Sequence, residues 1–313
     1  MQTRKLLSQT AIYMVGLGLS RGMGLLLVPL YTRQLTEAGF FTWDICTTSV
    51  LFALAVAELG MSSALARFYV HADTDDERRA VAQTSAALAL ISVAAFTVVA
   101  LAFQDRLAVL VLGNLDQPGL AALITLTVAL TAAGNLPLAL LRAQERAVAF
   151  ATLCFPREVV GPACIIVLVV KLDYGVRGIL IGDAIGLGVQ AVFGLAMCRS
   201  QLLPALHKRA ARMLLAFGIP LIPIGIANTI VIASDRYFLR EFVDPTEAAT
   251  FSLGFKIATI VSLVTMALQT ASLGLIASWW LARTAPGGRK AITLIPGNTR
   301  LTLIRAPYML VGI

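Results

Sequence analysis

The chain has 313 residues, of which 58% are hydrophobic and 13% are charged, and its formal net charge is +8. Soluble domains average about 25% charged residues. Together with a mean hydropathy of +0.84, this composition argues against an ordinary soluble protein and indicates several membrane spans. We interpret the positive charge as a topology signal and predict no nucleic-acid partner, because nucleic-acid-binding proteins carry such charge on a soluble surface with a matching fold or motif.

Eight stretches are apolar and long enough to cross a bilayer as helices, which takes about 20 residues each. They lie near residues 9–31, 42–65, 81–103, 119–141, 148–170, 176–198, 213–234 and 249–271. The predicted fold class is therefore all-α, a polytopic membrane protein with about eight transmembrane helices. The last apolar stretch, residues 301–313, is short and interrupted by Arg305 and Pro307, and we do not expect it to span.

A basic loop at residues 200–212 follows the sixth span and is the best candidate for a linker between two helical bundles. We predict a six-helix lobe at residues 1–206, the first two helices of a second lobe at 207–272, and an atypical tail at 273–313. The sequence Thr-Glu-Ala occurs at 36–38 and again at 246–248, each time before a span. This weak internal repeat is typical of transporters whose substrate path lies between two repeats.

The loops predict an orientation. With a cytoplasmic N-terminus, the loops around residues 67–79, 142–146 and 199–212 all lie inside, and they hold most of the lysines and arginines between spans. Cytoplasmic loops carry the excess of basic residues in membrane proteins. We therefore expect a cytoplasmic N-terminus.

Three basic residues lie inside predicted spans. Arg21 stands about halfway along the first, Arg157 interrupts the fifth, and Lys256 lies several residues inside the eighth. A charge at the bilayer centre costs about 2.5–3.5 kcal/mol on insertion scales, so such residues usually face a bundle interior or a water-filled cavity. We predict that Arg21, Arg157 and Lys256 contact the substrate.

Acidic residues also lie in the spans, namely Asp44, Glu58, Glu158 and Asp183. They are expected either to form structural ion pairs or to couple transport to an ion. Arg157 with Glu158 and Lys256 with Asp183 are two pairings that the sequence leaves open. We place Asp235 and Arg236 at the outer interface, where the pair serves gating or locks the end of a helix.

No pattern indicates enzyme chemistry. The four cysteines, at 46, 154, 164 and 198, lie in apolar spans without the spacing of a metal site. The carboxylates at residues 73–77 are interpreted as a solvated loop. No phosphate-binding loop or nucleophile triad occurs, so we predict no catalytic residue, no metal and no cofactor.

Two regions carry a resemblance to a known family. The first is Pro29 to Thr36, followed by Gly39, Gly60 and Arg67-Phe68-Tyr69. The second comprises Gly218 to Pro223, Ser234 to Leu239, and Phe251 to Ala258, and Arg142 to Arg146 also fits. Over about residues 7–272 the chain resembles polysaccharide transporters of the Wzx type, the O-antigen or exopolysaccharide flippases of the superfamily that also contains multidrug and toxin extrusion transporters.

This resemblance implies a two-lobed translocase of the bacterial inner membrane. Its substrate would be an undecaprenyl-pyrophosphate-linked oligosaccharide, with membrane lipids, a polysaccharide polymerase and chain-length proteins as further partners. Arg21, Lys256 and Arg157 would offset the lost hydration of the pyrophosphate. A multidrug cation antiporter and a non-transporting membrane remnant or scaffold remain as alternatives.

The chain departs from the family in length. Members usually have about twelve to fourteen spans, whereas residues 283–313 resemble nothing upstream. We therefore expect a truncation or frame change near Ser272, leaving one complete lobe and part of a second.

Overall fold

The computed structural model describes residue 24 and residues 27–112, 119–244 and 246–258. Its regular elements within these ranges are helices, with no strand among them. Contacts divide the chain into a first unit, Met1–Leu253, and a second unit, Gly254–Ile313. Of the second unit, residues 254–258 are described, and they are helical. Arg21 and the predicted tail at 273–313 lie outside the described residues.

Nine helices of the first unit have defined bounds. They are α1 (Glu37–Ala57), α2 (Met61–His71), α3 (Asp75–Ala102), α4 (Gln104–Leu112), α5 (Leu120–Ala143), α6 (Ala147–Ile166), α7 (Gly175–Cys198), α8 (Lys208–Gly218) and α9 (Leu221–Phe242). A π-helical turn, Val167–Lys171, extends α6. Residues 27–34 and 246–258 are also helical.

Six of the described segments are long and apolar enough to cross a membrane: α1, α3, α5, α6 with its π-turn, α7, and the continuous segment Lys208–Phe242. They correspond to six of the eight predicted spans. The other two, near 9–31 and 249–271, fall largely outside the described residues. The structure is thus that of an all-α, multi-pass membrane protein, as the sequence predicted.

Thr36 explains where α1 begins. Its side chain accepts a hydrogen bond from the Gly39 amide at 3.2 Å, which satisfies one of the four donors left unpaired at a helix start. Glu37 and Ala38 therefore lie inside the helix, which begins earlier than the predicted span 42–65. Thr246, in the second copy of the motif, is itself helical.

The predicted span 42–65 is a helix that breaks. α1 ends at Ala57, and α2 begins at Met61 after Leu59 and Gly60, which both have positive φ, 49° and 64°. Ser92 on α3 donates a hydrogen bond to the Ala57 carbonyl at 2.6 Å. A side chain from a neighbouring helix thus satisfies a backbone group near the break, as the bilayer interior requires.

A second break lies between α8 and α9, at Ile219 and Pro220. Proline fits the start of a helix because it lacks the amide hydrogen that would be unpaired there. The predicted span 213–234 also ends too early, since α9 continues to Phe242. Its length puts Asp235 and Arg236 inside the helix, whereas the sequence placed them at a helix end.

The two breaks touch each other. A Cβ built on Gly218 would lie 2.3 Å from the Leu59 carbonyl oxygen, and one built on Gly60 would lie 2.9 Å from the Gly218 carbonyl oxygen. Both distances are too short for any side chain. Glycine is therefore required at both positions, and the first unit carries a close backbone crossing between α1–α2 and α8–α9.

The helix connections lie at two ends. Gln144 donates hydrogen bonds to the Tyr69 hydroxyl at 3.0 Å and to Gln201, and the amide of His207 donates to Thr84 at 3.2 Å. These contacts bring the connections 72–74, 144–146 and 199–207 to one end, which we call the basic end because exposed Lys208, Arg209 and Arg212 lie there. The connections near 103, 172–174 and 243–244 form the opposite end.

Buried apolar residues form two clusters along the bundle. One, toward the opposite end, includes Ile45, Val128 and Ile179. The other, toward the basic end, includes Leu65, Leu140, Leu153 and Leu214. The two clusters draw on α1, α2, α3, α5, α6 and α7, and Leu214 packs α8 onto the cluster toward the basic end.

Candidate functional site

The central feature is an ion pair between α6 and α7. Nη2 of Arg157 lies 3.6 Å from Oδ1 of Asp183. Arg157 is ten residues from the start of α6 and Asp183 eight residues from the start of α7, which places them about 15 Å and about 12 Å from those helix ends. The two helices run in opposite directions, so both charges lie at middle depth in the bundle.

Glycines set the spacing of these two helices. A Cβ on Gly182 would lie 2.5 Å from a side-chain carbon of Ile165, and a Cβ on Gly186 would lie 2.9 Å from the Cα of Gly161 and 3.2 Å from the Arg157 carbonyl oxygen. Small residues let membrane helices approach closely. The glycines therefore flank Asp183 in sequence and hold the backbone of α7 against the turn of α6 that carries Arg157.

The pair is loosely held and open on one side. The side chains of Arg157 and Asp183 are 37% and 38% exposed, and a separation of 3.6 Å is longer than a good charge-assisted hydrogen bond of about 2.7–2.9 Å. Such a guanidinium can turn toward an incoming anion without leaving a buried carboxylate behind. The pair is therefore a long charged contact that the surrounding helices shield only in part.

The sequence left the partner of Arg157 open. The structure pairs Arg157 with Asp183, whereas neighbouring Glu158 is half-buried and makes no ion pair within the described ranges. The close approach of α7 to the turn of α6 that carries Arg157 brings Asp183 within reach of the guanidinium. Lys256 is half-buried and belongs to the second unit, of which residues 254–258 are helical.

A second ion pair is buried. Nε of Arg236 on α9 lies 3.2 Å from Oδ2 of Asp44 on α1, and the two side chains are 5% and 4% exposed. Nη1 of Arg236 also contacts Asp235 at 2.5 Å and donates to the Ile232 carbonyl at 2.9 Å. Every part of this arrangement fixes the guanidinium in place, so it joins two helices and offers no open face to a ligand.

Glu58 has a different partner. Nδ2 of Asn135 on α5 donates to its carboxyl oxygen at 2.6 Å. Glu58 caps the end of α1 directly before the break at Leu59 and Gly60, so this contact ties the break to α5. The sequence predicted a pairing or coupling role for Glu58 but missed Asn135, although an asparagine inside an apolar span is a visible signal.

The acidic loop at residues 73–77 builds a helix start. The Thr74 hydroxyl accepts from the Glu77 amide at 3.2 Å, and the Glu77 carboxylate accepts from the Asp73 amide at 3.2 Å. This arrangement resembles a capping box, except that the Glu77 carboxylate reaches the amide of the residue before the N-cap Thr74. Among the described residues no group of three or more His, Cys, Asp or Glu is placed to hold a metal ion.

The fold and the polar pair at middle depth define a class, namely a polytopic all-α membrane protein with an ion pair inside its helical bundle. The family model described as polysaccharide biosynthesis protein matches residues 6–280. The chain therefore belongs to this family, that of the Wzx-type polysaccharide flippases, as the resemblance of residues 7–272 indicated.

Two further comparisons bear on the chain. A solved structure named "protein A" superposes on this chain with a TM-score of 0.66 at 13% sequence identity. The superposition covers 96% of this chain and 77% of the chain of protein A. At that identity the similarity concerns the fold alone. No curated protein matches the chain.

Proposed function

We propose that this protein moves lipid-linked oligosaccharide repeat units across the bacterial inner membrane for O-antigen or exopolysaccharide synthesis. The observation that carries the proposal is the half-exposed Arg157–Asp183 pair at middle depth. A family of polysaccharide flippases needs a place for a pyrophosphate inside the membrane, and an arginine binds phosphate oxygens through two parallel hydrogen bonds.

In this mechanism Asp183 neutralises Arg157 while the site is empty. The pyrophosphate of an undecaprenyl-linked substrate displaces the carboxylate and takes its place on the guanidinium. When the substrate leaves, Asp183 returns to Arg157. In the empty state this pairing avoids an isolated arginine charge at the bilayer centre, which would cost about 2.5–3.5 kcal/mol. Arg21 and Lys256 are proposed as further cations on the substrate path.

The proposal includes a gate. The predicted second lobe begins at residue 207, so the Asp44–Arg236 pair and the Gly60–Gly218 crossing both join the first lobe to α8–α9. Asp44 precedes Gly60 by sixteen residues, about 24 Å along a helix. We assign the glycine crossing, where Gly218 lies ten residues into α8, as the pivot and the ion pair nearer the opposite end as the latch that opens.

The test is transport by the full chain in proteoliposomes, with a fluorescent undecaprenyl-pyrophosphate oligosaccharide as substrate. Arg157→Ala should lower the rate at least about tenfold, the effect of losing one charge-assisted hydrogen bond, and Arg157→Lys should restore part of it. Arg79→Ala is the matched control, because Arg79 is exposed at the basic end. Equal rates for Arg157→Ala and Arg79→Ala would refute the assigned role of Arg157.

The same vesicles separate the alternatives. Movement of organic cations driven by a proton gradient, with no movement of the oligosaccharide lipid, would favour the antiporter. Wild-type vesicles that move neither substrate, although the protein is folded, would favour the scaffold. Polymerase and chain-length proteins stay proposed partners, to be sought by cross-linking in cells.

A further inference from the structure

A separate crevice lies toward the opposite end of the bundle, between α1, α3, α4, α5 and α9. Its volume is about 570 Å³, within the range of about 300–1,000 Å³ typical of small-molecule sites. Its walls are almost entirely apolar and include Phe52, Phe96, Ile124 and Val128. α6 and α7 do not line it, so it is distinct from the Arg157–Asp183 site.

Apart from Thr125 on α5, the polar lining residues of the crevice lie on α1 and α9. The hydroxyls of Ser49 and Tyr237 are 2.8 Å apart in a hydrogen bond. The guanidinium carbon of Arg240 lies 5.8 Å from the centre of the Tyr237 ring, and Phe52 meets the same ring edge to face at 5.8 Å. A cation thus stands beside a wall that is otherwise aromatic and aliphatic.

The depth of the lining residues gives the crevice a direction. Arg240 is two residues from the end of α9, and Ala121 is one residue from the start of α5, so both lie close to the opposite end. Val128 lies eight residues into α5, about 12 Å deeper. The crevice therefore runs from an arginine at the level of a lipid head group into the apolar middle of the bundle.

The surface around the crevice is apolar and exposed. Val99 lines it and is 57% exposed, and nearby Val109 and Leu126 are 63% and 46% exposed. Acyl chains cover such a surface in a bilayer, and filling an apolar crevice with one is favourable because it adds packing contacts that a void lacks. Arginine is suited to the phosphate that every phospholipid carries.

We propose that this crevice binds one acyl chain of a bilayer phospholipid, with the lipid phosphate beside Arg240. The inference rests on the membrane assignment and is independent of the transported substrate. The bound chain fills the space between α9 and the α1–α3–α5 wall, and so supports the helix that carries Arg236.

The experiment is photolabelling of the purified full chain in nanodiscs, with phosphatidylglycerol that carries a diazirine in its acyl chain, followed by peptide mapping. We expect labelling concentrated on the peptides around Phe52 and Phe96. Ala53→Phe fills the half-buried inner wall and should reduce this labelling about tenfold, whereas Leu51→Phe, 49% exposed on the same helix and outside the lining, should leave it unchanged.

Arg240→Gln tests the head-group contact. It should weaken labelling at limiting probe by roughly tenfold, as expected for one lost charge-assisted hydrogen bond. Labelling spread evenly over all lipid-facing helices, or unchanged in Ala53→Phe, would overturn the proposal. Preferential labelling by a diazirine-bearing prenyl phosphate over phosphatidylglycerol would also overturn it, since the occupant would then be a prenyl chain.

Discussion

Asp44 and Arg236, separated by 192 positions in sequence, form a buried ion pair of 3.2 Å that joins α1 to α9. Burying two charges costs several kcal/mol before their attraction offsets it. A pair placed so deep in a helix contact is more easily explained by a need for specific, breakable docking than by stability. Its position where the predicted second lobe meets the first fits a latch.

The latch predicts a characteristic mutant cycle. Arg236→Met leaves the Asp44 carboxylate without its guanidinium and should destabilise the protein by about 3–5 kcal/mol. The double variant Asp44→Leu with Arg236→Met should recover most of that loss, because an apolar pair of similar volume needs no desolvation. Thermal unfolding midpoints in detergent provide the comparison.

The transport rates of the same variants test whether the ion pair acts as a latch. If the pair is a latch, the stable double variant should transport at an altered rate, since the closed state loses its specific contact. If the pair is only structural, the double variant should match the wild type in both stability and transport.

The crossing of the two helix breaks predicts strong intolerance of small substitutions. Gly218→Ala puts a methyl group 2.3 Å from the Leu59 carbonyl oxygen and 2.6 Å from the end of the Met61 side chain. Overpacking of this kind costs about 1–3 kcal/mol or more. Gly60→Ala adds the strain of a positive φ, about 1–2 kcal/mol, to its own close contact.

Gly254→Ala and Gly188→Ala are matched controls for that prediction. A Cβ on Gly254 would meet nothing within 4 Å, and one on Gly188 would lie 4.0 Å from Cδ1 of Leu130. Both controls should keep the wild-type unfolding midpoint in detergent. A Gly218→Ala protein as stable as these controls would mean that the crossing adjusts easily.

The orientation is testable with single cysteines in a background where all four native cysteines are replaced by alanine. Leu203 at the basic end is 60% exposed, and Leu172 at the opposite end is 51% exposed. With a cytoplasmic N-terminus, a membrane-impermeant maleimide added to intact spheroplasts should label Leu172→Cys and spare Leu203→Cys. Permeabilised cells provide the control, because both sites should then react, and the reverse pattern in spheroplasts would invert the topology.

The fold was predictable because its signals are local. Runs of about 20 apolar residues define spans whatever their neighbours, and Thr36 marks a helix start by its own side chain. The breaks were only half visible. Pro220 indicated the break between α8 and α9, but Gly60 belongs to a stretch with no proline. The role of Gly60 depends on Gly218, which is distant in sequence but contacts it in the structure.

For the same reason, the sequence could not predict which charged residues pair with each other. Each charged residue was visible as a charge in an apolar span, but its partner is set by helix packing. Arg157 meets Asp183 because Gly182 and Gly186 bring two backbones together. Arg236 meets Asp44 because α9 continues past residue 234. No sequence pattern predicted the proposed lipid crevice, because it is lined mostly by ordinary apolar residues from five helices.

The close contact of α6 and α7 leads to a last prediction about the candidate site. Gly182→Ala would put a methyl group 2.5 Å from Ile165 and force the helices apart next to Asp183. The Arg157–Asp183 separation, already 3.6 Å, should widen. We expect transport to fall severalfold, with a loss of stability of about 1–3 kcal/mol, and a transport loss larger than that of Gly194→Ala.

Gly194→Ala is the appropriate comparison because it lies on the same helix and would also be overpacked, with contacts of 3.0–3.2 Å to Pro137 and Leu153, but eleven residues from Asp183. The backbone nitrogen of Ile165 would also lie 2.8 Å from the added methyl group, so trimming the Ile165 side chain would not relieve the strain of Gly182→Ala. Equal transport losses in Gly182→Ala and Gly194→Ala would show that the spacing of α6 and α7 does not control the Arg157 site.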